Sequence, residues 1–422
     1  MTNENNTIAI CGAGIAGIAT AYYLIKNNPS LTIVLIDKNQ PLSFTTSKSG
    51  ENFRDFWPQK CMREFASYSI QLMQKLRDDH GDESFKMSYS GYNFISKIKD
   101  KPIFSTTAKA SSQNYYEEIS DSAAICDVHS YLSTDVEKIV SIKNAGNIDV
   151  YAMGSLMLKE AKKSGVKFIE GEIKTILKKK PSYEIVLDSK ITIVAKTLVI
   201  ASGPFINHIA NMIGLQLPIE NILQRKFIIP DPKNIIPRNM PFTIFADAQY
   251  LNWSKEEKEF FASEEKYQWL LEELPAGLHI KPEGEGIKLG WAFNTKNELP
   301  QWETPFTDIF PQVVLKGACS FIPQLIEYEN DIPTPITEYA GYYTRTKENW
   351  PLIGPTEMPN VFLIGALSGY GTMTACAAGQ LCSKYILNAT DLPDYAPYFH
   401  PNKYQNLDIV KEINAIKSDG QL

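Results

Sequence analysis

Apolar residues run almost unbroken through Thr7–Cys11, give way to three glycines, return at helical spacing over 18–26, stop at Asn27-Asn28-Pro29-Ser30 and run again through 31–37. Strands that are apolar at nearly every position are those buried on both faces of a parallel sheet. Strand, glycine turn, helix and strand therefore read as one βαβ unit. An amphipathic helix is expected over 59–79, with Met62, Phe65, Ile70, Met73 and Leu76 on its apolar face. Residues 85–140 are irregular and aromatic-rich, with a strand-like run at 92–98. A helix follows over 152–164, ending near Gly165, then strands over 166–176 and 183–200 with a hairpin about 188–190. The run Lys178-Lys179-Lys180-Pro181-Ser182 reads as a solvated loop. Residues 219–310 mix strands with long loops, and the acidic stretch 253–273 reads as an exposed helix or lid. Residues 311–327 are helical. From 340 the first style returns, with a buried strand at 361–366, a glycine turn and a helix to about Leu387.

This alternation suggests a nucleotide-binding α/β unit assembled from 1–84, 151–218 and 336–422, with a second domain woven in from 85–150 and 219–335. The 422 residues, 44% hydrophobic, suffice for two such cores. A net charge of −6 gives no basic stripe for nucleic acid. Six scattered cysteines without a CxxC pair read as free thiols in a reducing compartment. No basic, apolar leader opens the sequence and no run of 18 apolar residues occurs, so a cytoplasmic protein without an integral membrane segment is expected.

Gly12-Ala13-Gly14-Ile15-Ala16-Gly17 has the GxGxxG pattern in the context that gives it meaning, between a strand and a helix. The first glycine permits the tight turn, the second lets the backbone approach a pyrophosphate, and the third lets helix and strand pack closely. The helix N-terminus presents N–H groups and partial positive charge to phosphate. Asp37 closes the second strand, where a carboxylate accepts ribose hydroxyls and would repel a 2′-phosphate. This pattern alone does not separate NAD from FAD.

Later segments add a resemblance. Val199-Ile200-Ala201-Ser202-Gly203-Pro204, Pro351-Leu352-Ile353-Gly354-Pro355, the strand beginning at Val361, and Leu367-Ser368-Gly369-Tyr370-Gly371 resemble the D-amino-acid-oxidase superfamily of flavoproteins in order and spacing. Gly286-Ile287-Lys288-Leu289-Gly290 and Gly341-Tyr342-Tyr343-Thr344-Arg345-Thr346 are similar to its monomeric sarcosine-oxidase and glycine-oxidase branch. The resemblance implies an α/β fold, with a Rossmann-like FAD-binding domain and an interwoven α+β substrate domain on a mixed β-sheet. It implies FAD contacts from Gly12, Gly14, Ile15, Ala16 and Gly17, from Asp37 and Lys38, from the loop Thr46, Ser47, Lys48 and Ser49, and from Ile173, Ser202 and Gly203. Gly341, Gly369, Gly371, Thr372 and Met373 complete that set. In the branch a cysteine at the position of Gly341 links covalently to the flavin. Glycine stands here, and 45–52 contains no histidine for the linkage used by other relatives, so non-covalent FAD is expected.

The same resemblance implies oxidation of a C–N bond in a small amine or amino-acid-like substrate, with imine formation and reoxidation by molecular oxygen to hydrogen peroxide. It makes Lys288 the lysine that assists oxygen. Two positions depart from the pattern: Met373 replaces the branch's carboxylate-binding lysine and Tyr370 replaces a histidine. Arg54 and Arg345 are then the candidates for a bidentate carboxylate contact. Phe56, Trp57, Trp291, Tyr343 and Tyr370 are candidate pocket aromatics, with Tyr343 and Tyr370 counted with Lys288 and Arg54 as catalytic candidates. His80, His129, His208, His279 and His400 fall in no matched motif and read as structural. Alternatives on the same fold are a flavin dehydrogenase of a 2-hydroxy acid, one passing electrons to another acceptor, a flavin hydroxylase, and a flavoprotein subunit that needs a partner.

Overall fold

A computed structural model describes residues 7–104, 116–304 and 309–416. The apolar run Thr7–Cys11 lies at the centre of a six-stranded sheet. It pairs in parallel with Thr197–Ile200 on one side and Thr32–Asp37 on the other. Val361–Gly365 extends the sheet in parallel beyond Thr197–Ile200, and Leu352–Pro355 closes that edge antiparallel. Lys167–Glu170 forms the other edge. Because side chains alternate faces along a strand, Ile8 and Ile10 point into one apolar layer and Ala9 and Cys11 into another.

The first layer is covered by four helices, Ile15–Asn27, Lys60–His80, Val150–Lys163 and Gly371–Ile386. Lys60–His80 buries Met62, Phe65, Ile70, Met73 and Leu76, the face read from its spacing, and ends at Gly81 with φ 91°. Val150–Lys163 begins two residues before the periodicity does, because Asp149 caps it by accepting a hydrogen bond from the Ala152 amide at 2.8 Å. The second layer is an antiparallel meander of Ile173–Lys179, Ser182–Leu187 and Thr192–Ala195. Residues 166–176 are thus two strands in two sheets. The Gly171 amide donates to the Asp37 carbonyl at 2.8 Å, and there the chain leaves the parallel sheet for the meander.

A second sheet has eight strands, in the order Thr337–Arg345, Glu220–Pro230, Gly286–Trp291, Leu278–Glu283, Phe242–Phe245, Tyr92–Ser96, Lys138–Ile142 and Glu117–Ile119. Thr337–Arg345 pairs with Glu220–Pro230 over nine residue pairs, so this strand belongs to the second sheet although a boundary at 336 assigns it to the nucleotide unit. On one face Phe227, Ile229, Leu278, Ile280, Ile287 and Leu289 pack beneath the helix Phe310–Cys319. Residues one step out of phase, Gln224, Lys226, His279, Lys281, Lys288 and Gly290, share the opposite face with Tyr339, Gly341 and Tyr343. That face looks onto the ends of the six-stranded sheet. Its charged composition inside a protein is the first structural sign of a site.

The segment 253–273 forms the helix Lys255–Ser263 and a 3-10 turn, Glu265–Leu271. Trp253, Phe261 and Leu270 sink into the apolar face of the second sheet, so the segment is a cover for that core and not a lid on the site face. All six cysteines are unbridged. Among the described residues no cluster suits a metal ion, and no helix is long and apolar enough to cross a membrane.

The tail is fastened to the loop that precedes Leu352–Pro355 by a buried ion pair. Lys403 Nζ lies 2.5 Å from Glu348 Oε1 and 3.2 Å from the Pro351 carbonyl, and the Tyr404 hydroxyl donates to the same carboxylate at 3.0 Å. Removing one partner of a buried pair leaves a charge without solvation, at about 3 kcal/mol or more. Lys403→Met is therefore expected to lower the melting temperature by roughly 5 °C or more, read by thermal denaturation of the holoprotein. An unchanged melting temperature would show that burial cost and attraction cancel.

Candidate active site

Two cavities, of about 520 and 240 Å³, lie between the two sheets and share walls at Ser49, Gly50, Gln224, Lys226, Tyr343 and Gly369. The larger one begins where Thr7–Cys11 ends. The Gly12 amide donates to the Ile36 carbonyl at 2.7 Å, which ties the glycine turn to the neighbouring strand. Gly12 has φ 117°, and a Cβ there would fall 2.4 Å from the Ala201 carbonyl oxygen. A Cβ on Gly17 would lie 2.0 Å from the Gly12 oxygen, so the third glycine packs under the turn and does not line the cavity. A Cβ on Gly14 would meet only Thr46 Oγ1, at 3.6 Å; this glycine faces the cavity.

Asp37 sits at the cavity wall, but its carboxylate also serves the fold. Oδ2 accepts from the Ala13 amide at 2.7 Å and Oδ1 from the Asn39 amide at 3.1 Å. Burial pushes its pKa up and these hydrogen bonds pull it back. The turn Thr45–Lys48 folds over the glycine loop, with Thr46 Oγ1 accepting from the Ile15 amide at 3.2 Å. The helix Ile15–Asn27 has no side-chain N-cap and no acid in its first turn, so its N-terminus keeps its positive end toward the cavity.

Of the expected cofactor residues, Gly12, Gly14, Ile15, Ala16, Asp37, Lys38, Thr46, Lys48, Ser49, Ile173, Ser202, Gly203, Gly341, Gly369, Gly371 and Thr372 line this cavity. Besides Gly17, two do not. Ser47 is turned outward, its hydroxyl bonded to the Ser43 and Phe44 carbonyls at 2.8 Å, because the 3-10 turn points every third residue away. Met373 lies in the first turn of the helix Gly371–Ile386 on the side of the smaller cavity. Sequence reasoning missed an aromatic wall: Phe205 and Trp302 stack at 4.4 Å, with Lys38 5.1 Å above the indole. These three come from segments far apart in the chain, and no local pattern unites them.

The smaller cavity gathers Arg54, Lys226, Lys288 and Arg345, with Trp57, Tyr92, Tyr343 and Tyr370 among its walls. Arg54 lies against three rings, 4.3 Å from Trp57, 4.8 Å from Phe94 and 5.4 Å from Tyr92. Arg345 Nε is enclosed with no hydrogen-bond partner among the described residues. The Tyr370 hydroxyl donates to the Asn349 carbonyl, so this side chain offers its ring, edge-on to Trp57 at 5.0 Å. Burial pushes the Tyr343 phenol up to about 12. Trp291 and Phe56 do not reach the cavity. Trp291 is out of phase and packs beneath the second sheet, its indole N–H donating to Pro275; Phe56 packs on Phe104 and Tyr116.

Lys288 Nζ is held 3.0 Å from Glu283 Oε2, which also lies 3.3 Å from Lys281. Lys281 further donates to the Gly50 carbonyl at 2.9 Å and to Asn147 Oδ1 at 2.7 Å. The turn that follows Val361–Gly365 places Ala366 and Ser368 at φ 53° and 44°, conformations that L-residues adopt only when their surroundings impose them. Ser49 and Thr372 hydroxyls meet at 2.6 Å at the start of the helix Gly371–Ile386.

His279, read as structural, lines the smaller cavity, and His208 the larger. His279 Nδ1 lies 2.9 Å from the Gly277 carbonyl. Burial first, then the positive charge of Lys226, pushes its pKa down to about 3, from 6.5. The ring stays neutral in the folded chain, while an unfolded chain protonates it below pH 6.5. The unfolded state then binds more protons, so stability falls as pH drops from 6.5 toward 3, by about 1.4 kcal/mol per unit. His279→Gln is expected to flatten that part of the denaturation profile between pH 6 and 4. An unaltered slope would assign it to other groups.

The larger cavity fits a dinucleotide by its own features: a glycine-walled turn, a helix N-terminus with no acid in its first turn, and the buried hydroxyls Thr45 Oγ1 and Ser202 Oγ, which have no partner among the described residues. Residues 7–385 match the family model described as FAD dependent oxidoreductase. The chain belongs to the FAD-dependent oxidoreductase family. FAD is the cofactor of that family, and the larger cavity is where its residues are expected to hold it. Among curated relatives, the chain is 24% identical over 276 residues to L-saccharopine oxidase of Schizosaccharomyces pombe, covering 58% of this chain and 61% of that protein. An uncharacterised oxidoreductase of Bacillus subtilis is 22% identical over 227 residues, covering 50% and 58%. The chain thus aligns with about three fifths of the length of these relatives. Among solved structures, L-proline dehydrogenase from P. horikoshii superposes with a TM-score of 0.71 at 19% identity, covering 95% of this chain and 98% of that one. Glycine oxidase from Geobacillus kaustophilus gives 0.70 at 14%, covering 94% and 99%. These superpositions show a shared fold.

Proposed function

We propose that this flavoprotein oxidises a C–N bond of a small amine that carries a carboxylate, giving an imine, with molecular oxygen as acceptor and hydrogen peroxide as its product. The observation that carries this reading is the smaller cavity. It adjoins the expected flavin site through a shared wall, and Arg54, Arg345 and several aromatic rings line it. When bound, FAD supplies the two-electron acceptor. The chain's part is to bind, orient and exclude water. A guanidinium fork holds a carboxylate in two parallel hydrogen bonds. The faces of Trp57, Tyr343 and Tyr370 pack against the amine end and keep bulk water out. The names L-saccharopine oxidase and glycine oxidase, which belong to relatives and neighbours in structure, agree with an amino-acid-like substrate. Hydrolysis of the imine by water completes the reaction.

The test is anaerobic addition of amines, N-substituted amino acids, cyclic imino acids and 2-hydroxy acids to the yellow holoprotein. Loss of the oxidised-flavin absorbance with an amine, and peroxide on readmitting air, is the expected result. Bleaching by 2-hydroxy acids alone would replace C–N by C–O oxidation. Bleaching by an amine without peroxide would replace oxygen by another acceptor.

A further inference from the structure

A redox cofactor and its substrate must meet where their cavities meet. Six residues line both, and Lys226 is the only lysine among them; Lys288 lines the substrate side alone. Lys226 stands directly opposite Gly290 on one neighbouring strand and Tyr339 on the other, and the absent side chain at 290 leaves its stem room. A Cβ built on Gly50, another shared wall residue, would lie 3.3 Å from Lys226 Nζ, which fixes the amino group at the junction.

The lysines also differ in their engagement. Lys288 and Lys281 divide the Glu283 carboxylate between them. Among the described residues the Lys226 amino group forms neither an ion pair nor a hydrogen bond. The groups that face it are Lys288 from one strand, His279 and Lys281 from the next, and Tyr339 from the third. Burial, then Lys288 and Lys281, push its pKa down to about 7.

Two-electron reduction accompanied by one proton leaves a negative charge to be balanced at this junction. A cation preorganised at that point stabilises the charge without reorganisation. We propose that Lys226, rather than Lys288, is the cation that neutralises the negative charge arising where the cofactor meets the substrate cavity. The proposal rests on the flavin and on the reading of the smaller cavity as the substrate chamber, and holds whichever donor bond is oxidised.

Sulfite, which binds oxidised flavin as an anion and bleaches it, is the probe. At pH 6 Lys226→Met is expected to weaken sulfite binding at least tenfold, and Lys226→Arg to stay within about threefold of the wild type. Because lysine loses its proton above about 7 and arginine does not, the wild-type affinity should fall relative to Lys226→Arg between pH 6 and 9. The ionisation of sulfite itself cancels in that ratio. Wild-type affinity in Lys226→Met, or a loss confined to Lys288→Met, would overturn the assignment. Should Lys226→Met fail to retain FAD, the ratio of wild type to Lys226→Arg still decides, since a ratio independent of pH refutes it. Amine additions to the same preparations separate the two readings: normal sulfite behaviour with no reduction by any amine leaves Lys226 in place and sinks amine oxidation.

Discussion

Gly17→Ala is expected to give a destabilised protein that retains no FAD, whereas Gly14→Ala is expected to fold as the wild type does and to lose FAD at least tenfold more readily. The two glycines lie three residues apart in one motif, and the structure separates their tasks. A methyl group on Gly17 would be 2.0 Å from the Gly12 carbonyl oxygen and 3.3 Å from Ala201 Cβ. Both neighbours are fixed by the central strand, so the helix Ile15–Asn27 must move away from the sheet that it covers. Overpacking of this kind costs about 1–3 kcal/mol even where side chains can give, and here the obstacle is backbone. At Gly14 the nearest atom to the same methyl is Thr46 Oγ1 at 3.6 Å, an ordinary contact. Only a ligand that approaches the turn closely would notice it. Circular dichroism melts of the apoproteins and flavin absorbance per chain measure the two effects. Stoichiometric FAD in both variants would remove the glycine turn from the binding site; a normal melt for Gly17→Ala would refute the packing argument.

The same separation explains what was legible in the sequence. Thr7–Cys11, the glycine turn and Thr32–Asp37 are contiguous, and their chemistry is local, so spacing alone places them. Residues 166–176 look like one strand because Phe168, Ile169, Ile173 and Ile176 continue an apolar pattern; the turn at Gly171 answers to a hydrogen bond that its amide donates to the distant Asp37 carbonyl. Ser47 and Met373 stand beside residues that face the larger cavity; the pitch of a 3-10 turn points Ser47 outward, and the pitch of a helix points Met373 to the smaller cavity instead. Lys226 was legible in principle. Phe227 and Ile229 mark the buried face of their strand, so Gln224 and Lys226 must share the other. What no pattern states is that this face meets the glycine turn. That follows from the pairing of Glu220–Pro230 with strands more than fifty residues away. Arg345 has the same character: its strand is predictable, but the burial of its Nε depends on segments far from it in the sequence.

Arg345 is accordingly the position where the substrate reading is most exposed. An enclosed Nε without a partner among the described residues, at the wall of a cavity, carries a free-energy cost that a ligand or a water relieves by accepting its hydrogen bond. A charge-assisted, bidentate contact with a carboxylate is worth about 3 kcal/mol, equivalent to roughly a hundredfold in affinity. Arg345→Met is therefore expected to raise the concentration of a carboxylate-bearing amine needed for half-maximal flavin reduction by about that factor. The corresponding amide, which offers no anion, should lose less than threefold. Arg345→Lys should recover only part of the difference, because an ammonium supplies a point charge and not a planar fork. Arg54 makes a less clean test. Its guanidinium also packs on Trp57, Phe94 and Tyr92, so removing it disturbs the wall as well as the charge. Anaerobic stopped-flow reduction of matched acid and amide substrates reads the effect directly. If the acid and the amide respond alike to Arg345→Met, the arginine shapes the cavity without binding a carboxylate, and the anion must be sought at Arg54.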